Sequence, residues 1–234
     1  MVPKSDLEKN ISPIPFQISA PDDAELIDLI SSDDFTIGEE SFLKLVNERK
    51  SRRQFTTESL SLEELSFLLW CTQGVKKVMK QSVRRTVPSS GGKSPFEVYL
   101  VINRVEGLKP GLYRYISFSH KLYFVKTIEN SEETMGSLAY NQKFVGKAAV
   151  VFCWVAIPYR TEWRYTITSH KLIAIDLGIV CQNLYMACEA AKLGMVAVGF
   201  YEQEKIDHLF ELDSEYEFVV LLEPVSKIKD LFWK

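Results

Sequence analysis

The spacing of apolar residues along the chain predicts interleaved helices and strands. Apolar positions three and four residues apart predict helices over 39–50, 61–74, 131–142, 169–194 and 202–212. Continuous or alternating apolar runs predict strands over 96–102, 111–116, 121–126, 147–157, 195–201 and 215–225. The elements follow no strict βαβ repeat, so we expect an α+β fold with a central mixed or antiparallel sheet flanked by helices.

Two helices carry more specific signals. Ser61 and Glu64 form a capping box at the start of one predicted helix, and Gly74 is a suitable stop. The helix over 169–194 has apolar residues nearly all round its middle, so we expect it to be buried.

Two segments lie outside this pattern. Residues 1–37 are polar and proline-containing, which predicts an N-terminal arm ahead of a domain over 38–234, with one or two helical turns at 23–30. The pattern does not show what the arm covers; we expect it to embrace a second subunit. Residues 75–95 are basic and predict a long loop, and whether 75–87 acts as a lid stays open.

Composition and charge exclude several classes of protein. The chain has 234 residues and a net charge of −3, which argues against a broad nucleic-acid-binding surface. The four cysteines include no C-x-x-C pair and, with three histidines, make no zinc pattern, so we expect reduced thiols and no metal. The longest apolar run, 148–157, is about half a membrane span, and the N-terminus lacks the apolar stretch of a signal peptide. We therefore expect a cytoplasmic protein without membrane contact.

Three segments could carry chemistry, and each has a plainer interpretation beside it. The run Arg49–Arg53 offers four cations and a hydroxyl suited to a phosphate, or is a solvated charge run between helices. The run Pro88–Gly92 lets bare backbone approach a flat ring, or is a tight turn before a strand. The run Ala197–Tyr201 places a glycine at a strand end, or is a simple strand–helix turn. The chain contains neither a Walker A sequence nor a G-x-G-x-x-G fingerprint.

Taken in order, four stretches give the chain a family resemblance: ERKSRRQF, RTVPSSGGKSPFEVYLV, GLYRY and GIVCQNLYMACEAAKLGMVAVGFY. Together they resemble the nitroreductase-like FMN flavoprotein superfamily, over about residues 40–226. More narrowly they resemble its SagB-type dehydrogenase branch, which includes the oxidases of thiazole/oxazole peptide biosynthesis. The resemblance implies a nitroreductase-like α+β fold, an intertwined homodimer and FMN bound at the dimer interface.

The resemblance also implies which residues hold the cofactor. The family's R-R-S-x-R phosphate motif falls on Arg49, Lys50, Ser51 and Arg53, and its flavin-facing P-S-x-G loop falls on Pro88, Ser89, Ser90, Gly91 and Gly92. The segment whose backbone lies along the flavin falls on Ala197, Val198, Gly199, Phe200 and Tyr201, with Phe200 in place of a second glycine. The closing P-V-G falls on Pro224, Val225 and Ser226, and either Lys227 or Lys229, which follow, is a candidate second phosphate cation.

Two residues are candidate catalytic groups. Lys93 could stabilise the anionic reduced flavin, or it faces solvent. The branch's K-Y-G segment reads Arg164-Tyr165-Thr166 here, with Asp176 and Gly178 at matching spacing. Tyr165 could donate a proton, but an arginine cannot act as a base, which argues against azoline oxidation. We expect Asp176 to be a buried helix carboxylate with a partner.

The sequence therefore predicts an FMN-dependent oxidoreductase in which NAD(P)H delivers a hydride through flavin N5 to a small-molecule electrophile such as a nitro compound or quinone. Two alternatives stay open. One is a SagB-type dehydrogenase or oxidase acting on an azoline-like ring or a C–N bond. The other is an FMN-binding module without turnover.

Overall fold

The computed structural model describes residues 3–229, which build a seven-stranded antiparallel sheet in the spatial order β1-β6-β5-β4-β7-β9-β8. Its strands are β1 (Leu26–Asp28), β4 (Phe96–Ile102), β5 (Gly111–Ile116), β6 (Lys121–Lys126), β7 (Val150–Ala156), β8 (Leu193–Met195) and β9 (Phe218–Lys227). A separate antiparallel hairpin consists of β2 (Val75–Met79) and β3 (Ser82–Arg85). The predicted α+β class with an antiparallel sheet is thereby confirmed.

Helices cover both faces of the sheet. They are α1 (Phe42–Glu48), α2 (Leu62–Gln73), α3 (Ser131–Leu138), α4 (Lys143–Gly146), α5 (Tyr159–Tyr165), α6 (Ser169–Ala190) and α7 (Gln203–Phe210). Alternate residues of β4 enter two apolar layers: Leu100 packs with α2 and α6, whereas Val101 packs with α3, α4 and α7. Because both faces are covered, β4 and β7 are buried along their whole length, which explains their continuous apolar sequences.

Helix α2 begins and ends at the capping residues that the sequence predicts. The Ser61 hydroxyl accepts the Glu64 N–H, the Glu64 carboxylate accepts the Ser61 N–H, and Gly74 is the C-cap. Buried leucines at 65, 68 and 69 then place the helix against the sheet. The capping-box prediction is confirmed.

The described part of the N-terminal arm, residues 3–37, packs along its own domain. The indole N–H of Trp163 donates to the Ile11 carbonyl at 2.8 Å, and the Ile18 N–H donates to the buried Glu97 carboxylate at 2.8 Å. Further along, β1 pairs with β6 as an edge strand, so the helical turns predicted at 23–30 are wrong. Backbone pairing at an open sheet edge outweighed the local helical spacing. The arm's observed contacts are with its own domain, and the embrace of a second subunit stays a prediction.

Residues 75–95 are more ordered than the predicted loop. They contain the β2–β3 hairpin, with Lys77 opposite Arg84, followed by a short 3₁₀ turn at Ser90–Gly92. The apolar residues of β2 and β3 do not alternate with polar ones, which is why the spacing of apolar residues missed these strands.

Helix α6 keeps an exposed apolar face in the single chain. Val180, Leu184 and Cys188 are buried, but the Ile175 side chain is 50% exposed. The helical run Tyr159–Ala190 is long and apolar enough to cross a membrane, by length and composition alone. Its apolar 18-residue window has a mean hydropathy of 1.3, and 33% of that window is buried in the domain. The expectation that α6 is buried all round is therefore not met within one chain.

Candidate active site

The basic segment Arg49–Arg53 follows α1 and crosses α6 near its C-terminal end. The Ser51 hydroxyl is hydrogen-bonded to the Tyr185 hydroxyl at 2.8 Å, and the Arg49 guanidinium lies 5.1 Å from the centre of the Tyr185 ring. Desolvation, and secondly the charge of Arg52, lower the pKa of Lys50. Arg53 is exposed, with its guanidinium 5.7 Å from the Phe144 ring. Arg49 and Ser51 thus contact α6, whereas Arg53 contacts Phe144 of α4.

Arg52 has a different role from its neighbours. Its guanidinium makes two hydrogen bonds, of 2.6 and 2.8 Å, to the Glu189 carboxylate, and its backbone N–H donates to the Met195 carbonyl at 2.8 Å. Both side chains are nearly buried, at 10% and 4% exposure. Arg52 therefore anchors the basic segment to α6 and β8, and its charge is already paired.

Tyr185 joins this segment to the Ala197–Tyr201 stretch. Its hydroxyl also accepts the Ala197 N–H at 3.1 Å, so one phenol lies between Ser51 and the backbone that follows β8. Gly199 is exposed, and a Cβ added there would meet no atom within 4 Å. Two segments that the sequence analysis treated separately are thus neighbours.

Val198 and Phe200 flank that glycine in opposite environments. Val198 is 4% exposed, and both its N–H and its carbonyl pair with Leu222, so the contact of Val198 with a cofactor stays a prediction. Phe200 is exposed and stacks on Tyr140, with ring centres 4.2 Å apart. Its carbonyl accepts the Gln142 side-chain N–H at 2.9 Å, which holds this exposed aromatic pair in place.

The loop Pro88–Gly92 is tied to an earlier point of α6. The Ser90 N–H donates to both Asp176 oxygens at 2.9 and 3.0 Å, and its hydroxyl donates to the same carboxylate at 2.9 Å. Asp176 is 1% exposed; burial raises its pKa, and the bonds from Ser90 oppose that rise. The interpretation of Asp176 as a buried helix carboxylate with a partner is confirmed.

Tyr165 covers the glycine of this loop. A Cβ on Gly91 would lie 2.6 Å from the Tyr165 hydroxyl and 3.2 Å from an Arg164 nitrogen, and Gly91 has a φ of +60°. A residue with a side chain would be strained there and would displace the phenol. Thr166, directly after it, has a φ of +47°, a strained value for a β-branched residue. The structure therefore brings Tyr165 and the Pro88–Gly92 loop together.

Lys93 lies inside the protein. Its side chain is 1% exposed, its ammonium donates to the Gln81 carbonyl at 2.6 Å, and it lies 4.1 Å from the Trp163 ring centre. Desolvation, with a contribution from the charge of Arg164, lowers its pKa to about 8. The solvent-facing alternative is wrong, and the ammonium points to the turn of the β2–β3 hairpin instead of the loop surface.

The closing segment lies mostly in β9. Pro224, Val225 and Ser226 are buried, whereas Lys227 pairs with the Glu64 carboxylate and Lys229 is exposed. Of the two lysines, Lys227 already has a counter-charge, which favours Lys229 as the candidate second phosphate cation.

The two halves of the candidate site lie apart within one chain. The Ser90 loop contacts α6 at Asp176 and the Ser51 segment contacts it at Tyr185, nine residues later. Nine residues are two and a half helical turns, or about 13.5 Å along the axis. The Asp176 and Tyr185 side chains therefore project from opposite faces of α6. One chain therefore does not bring the two predicted halves together.

Sequence reasoning missed Tyr185 and the stacked pair of Tyr140 and Phe200. Tyr185 lies on a long apolar helix where a core role is the usual assignment, and no local pattern shows that its hydroxyl has polar partners. Its partners lie 134 and 12 residues away along the chain, so only the fold reveals them.

Comparisons with known proteins identify the family and the fold. The model of the nitroreductase family matches residues 46–225. A candidate nitroreductase of Methanocaldococcus jannaschii, MJ1384, is 30% identical over 179 residues, which cover 76% of this chain and 87% of that protein. The crystal structure of a candidate nitroreductase from Ralstonia eutropha has a TM-score of 0.72 at 25% identity, covering 94% of this chain and 98% of that one.

A further structural neighbour is a chain of the Escherichia coli microcin synthetase McbBCD complex. Its TM-score is 0.67 at 19% identity, covering 92% of this chain and 78% of that one, a level that shows the fold alone. The predicted family is confirmed, while the narrower SagB-type branch stays a prediction. The chain belongs to the nitroreductase family, whose members are in general flavoproteins, and it is an oxidoreductase enzyme.

Proposed function

We propose that the protein is an FMN-dependent oxidoreductase that takes a hydride from NADH or NADPH and passes it to a small electrophile, a nitro compound or a quinone. The observation that carries this proposal is the position of the Tyr185 hydroxyl between Ser51 and the Ala197 N–H. That phenol places a basic, hydroxyl-bearing segment beside a stretch of open backbone, which is the combination that a phosphorylated flat cofactor requires.

The residues present fit FMN. Arg49, Lys50 and Arg53 supply three positive charges within five residues, and the exposed Ser51 between them adds a hydroxyl, a set of groups that suits a phosphate dianion. At Gly199 there is open space where a Cβ would stand, so a flat ring can approach the backbone directly. When bound, FMN would supply a hydride acceptor at N5 that no side chain can provide.

The chain's own residues would bind, orient and protonate. Arg52, paired with Glu189, would hold the basic segment on α6 so that its neighbours face the phosphate. The Tyr165 hydroxyl, fixed against Gly91, would donate a proton to the reduced acceptor. Arg164 stays protonated and cannot remove a proton, which favours reduction of an acceptor over oxidation of an azoline ring.

A homodimer would complete the site. The Ser90 and Ser51 contacts lie on opposite faces of α6, so the Pro88–Gly92 loop of one chain can face the phosphate segment of a second copy only across a shared α6 interface. An apolar groove of about 920 Å³ along α6, lined in part by Ile173, Leu177 and Phe218, leaves apolar surface for such a partner to bury.

The test is an absorbance spectrum of the purified protein followed by anaerobic titration with NADH and NADPH. We expect flavin bands that bleach on titration and return when a nitroaromatic or quinone is added. Bands that do not bleach with either nucleotide would favour a substrate dehydrogenase or a binding module instead. Protein that retains no flavin after incubation with FMN would contradict the cofactor assignment.

Matched variants locate the phosphate. Ser51→Ala combined with Arg49→Gln should weaken FMN binding about tenfold or more, because both lost groups would contact a charged oxygen. Lys147→Gln removes one exposed cation that follows α4 and is in none of the segments predicted to bind the cofactor, and it is the control. Equal FMN affinity in all three proteins would place the phosphate elsewhere.

A further inference from the structure

The β2–β3 hairpin and the Pro88–Gly92 loop enclose a basic groove of about 610 Å³. The exposed side chains of Lys76, Lys77 and Arg84 line the groove. Among residues 3–229, no Asp or Glu lines it. The whole chain carries a net charge of −3, so this concentration of positive charge runs against the overall balance.

The groove cations lack the counter-charges found elsewhere on the surface. Four other lysines form ion pairs, each with its ammonium within 4 Å of a carboxylate oxygen: Lys44, Lys121, Lys126 and Lys205. No ion pair involves Lys76, Lys77 or Arg84 in the part of the chain that the structure describes. Three adjacent cations that pair with no carboxylate among residues 3–229 indicate a surface suited to an external anion.

The hairpin is fixed to the loop, which sets the position of its cations. The buried Lys93 ammonium donates to the Gln81 carbonyl at the hairpin turn, and a Cβ on Gly92 would lie 2.8 Å from the Cβ of Ser82. At the other end, the buried Arg85 donates to the Gln73 carbonyl at 2.7 Å and to the Ser117 hydroxyl at 2.8 Å. The groove is therefore a built feature of the fold, and Lys93 is one of the residues that position it.

We propose that this basic groove binds the phosphate groups of the nicotinamide dinucleotide that reduces the enzyme. The proposal rests on the proposed function, since the groove borders the loop predicted to face the flavin. A nicotinamide dinucleotide carries a pyrophosphate and, in NADPH, a 2′-phosphate beyond its reactive ring. The planar donor fork of Arg84 matches a phosphate, and the two lysines supply point charges. A neutral acceptor such as a quinone has no group that would use them.

The first experiment measures binding without turnover. Calorimetric titration with NADP⁺ and NAD⁺ compares the wild type, the double variant Lys77→Gln/Arg84→Gln, and the control Lys147→Gln. The two groove side chains are exposed and opposite each other on the hairpin, so their neutral replacements should leave the fold intact, which circular dichroism checks. We expect the double variant to bind NADP⁺ about tenfold more weakly and the control to match the wild type.

The two nucleotides distinguish the phosphates. An affinity loss for NADP⁺ alone assigns the groove to the 2′-phosphate, whereas an equal loss for both assigns it to the pyrophosphate. Unchanged affinity for both nucleotides in the double variant would overturn the proposal. So would a loss of FMN retention without a change in nucleotide affinity, because the groove would then serve the flavin phosphate.

A second experiment separates this proposal from the proposed function. Anaerobic flavin reduction is followed with NADPH, NADH and 1-benzyl-1,4-dihydronicotinamide, a hydride donor without phosphates. We expect the ratio of the efficiency with NADPH to that with the phosphate-free donor to fall about tenfold in the double variant. Wild-type protein whose flavin no donor reduces would contradict the proposed function, while the NADP⁺ titration still decides the role of the groove. An unchanged ratio in a protein that all donors reduce would overturn the groove alone.

Discussion

Removal of the Arg52 guanidinium should destabilise the protein and loosen the candidate phosphate segment. Arg52→Gln leaves the Glu189 carboxylate nearly buried without its cation, since the two side chains are 10% and 4% exposed and share two short hydrogen bonds. Removing one partner of a buried ion pair costs about 3–5 kcal/mol. Because Arg52 keeps some solvent contact, we expect a loss near the lower end, about 3 kcal/mol.

A double-mutant cycle isolates the pair. Glu189→Gln alone leaves a nearly buried guanidinium, and Arg52→Gln/Glu189→Gln replaces both charges with amides that can still pair. The double variant should therefore lose less than the sum of the single variants, with a coupling energy of about 2 kcal/mol.

The assay is urea unfolding at one fixed protein concentration, because the apparent stability of the proposed dimer would depend on protein concentration. Lys205→Gln breaks the exposed Lys205–Glu202 pair and is the control, with a change expected within experimental error. Additive single effects, or a loss under about 1 kcal/mol for Arg52→Gln, would refute the reasoning. FMN affinity of the same variants then shows whether the anchor also positions Ser51.

Three further predictions follow from the structure. Gly91→Ala should destabilise the protein more than Gly107→Ala, measured by urea unfolding: both have positive φ, but only the Gly91 Cβ would strike a tyrosine hydroxyl, at 2.6 Å. Equal losses would mean that the hydroxyl moves freely. Glu223→Gln should abolish a fall in stability between about pH 4.5 and 7, which unfolding at several pH values detects. Burial raises the pKa of Glu223 to about 7 in the folded chain, whereas its pKa in the unfolded chain is 4.5. As pH rises, the unfolded chain therefore loses this proton first, and the free energy of unfolding declines by roughly 3 kcal/mol between these two pKa values. A pH profile identical to that of the wild type would contradict this. Phe200→Gly should raise the ratio of kcat/KM for bulky over small nitroaromatics, because it removes the exposed ring stacked on Tyr140. An unchanged ratio would exclude this pair from the acceptor site.

Some features of the fold, and one of the candidate site, could be read directly from the sequence. The Ser61–Glu64 capping box and the Gly74 stop depend on residues a few positions apart, and the structure has both. The continuous apolar runs of β4 and β7 required burial on both faces, which the helical layers supply. Asp176, an isolated carboxylate in an apolar helix, required a partner, although the sequence could not name Ser90.

Other features depended on contacts between distant segments. The strand at Leu26–Asp28 forms because the edge of β6 is open to it, although its local spacing favoured a helix. Lys93 directly follows a glycine-rich loop in the sequence, a position that suggests a ligand contact. In the structure its ammonium is buried, where it contacts the Trp163 ring and donates to the Gln81 carbonyl.

The amino-acid sequence by itself determined the α+β class, the principal helices and strands, and the three segments that could carry chemistry, because each depends on local spacing or on an ordered motif. Only the tertiary structure decided that Tyr185 joins two of those segments and that Arg52 anchors the basic segment to α6. It also decided that the third segment, Pro88–Gly92, contacts the opposite face of α6. Those facts depend on which side of a shared helix each distant segment meets. Helix periodicity sets the faces, but the packing of the rest of the chain selects what each face contacts.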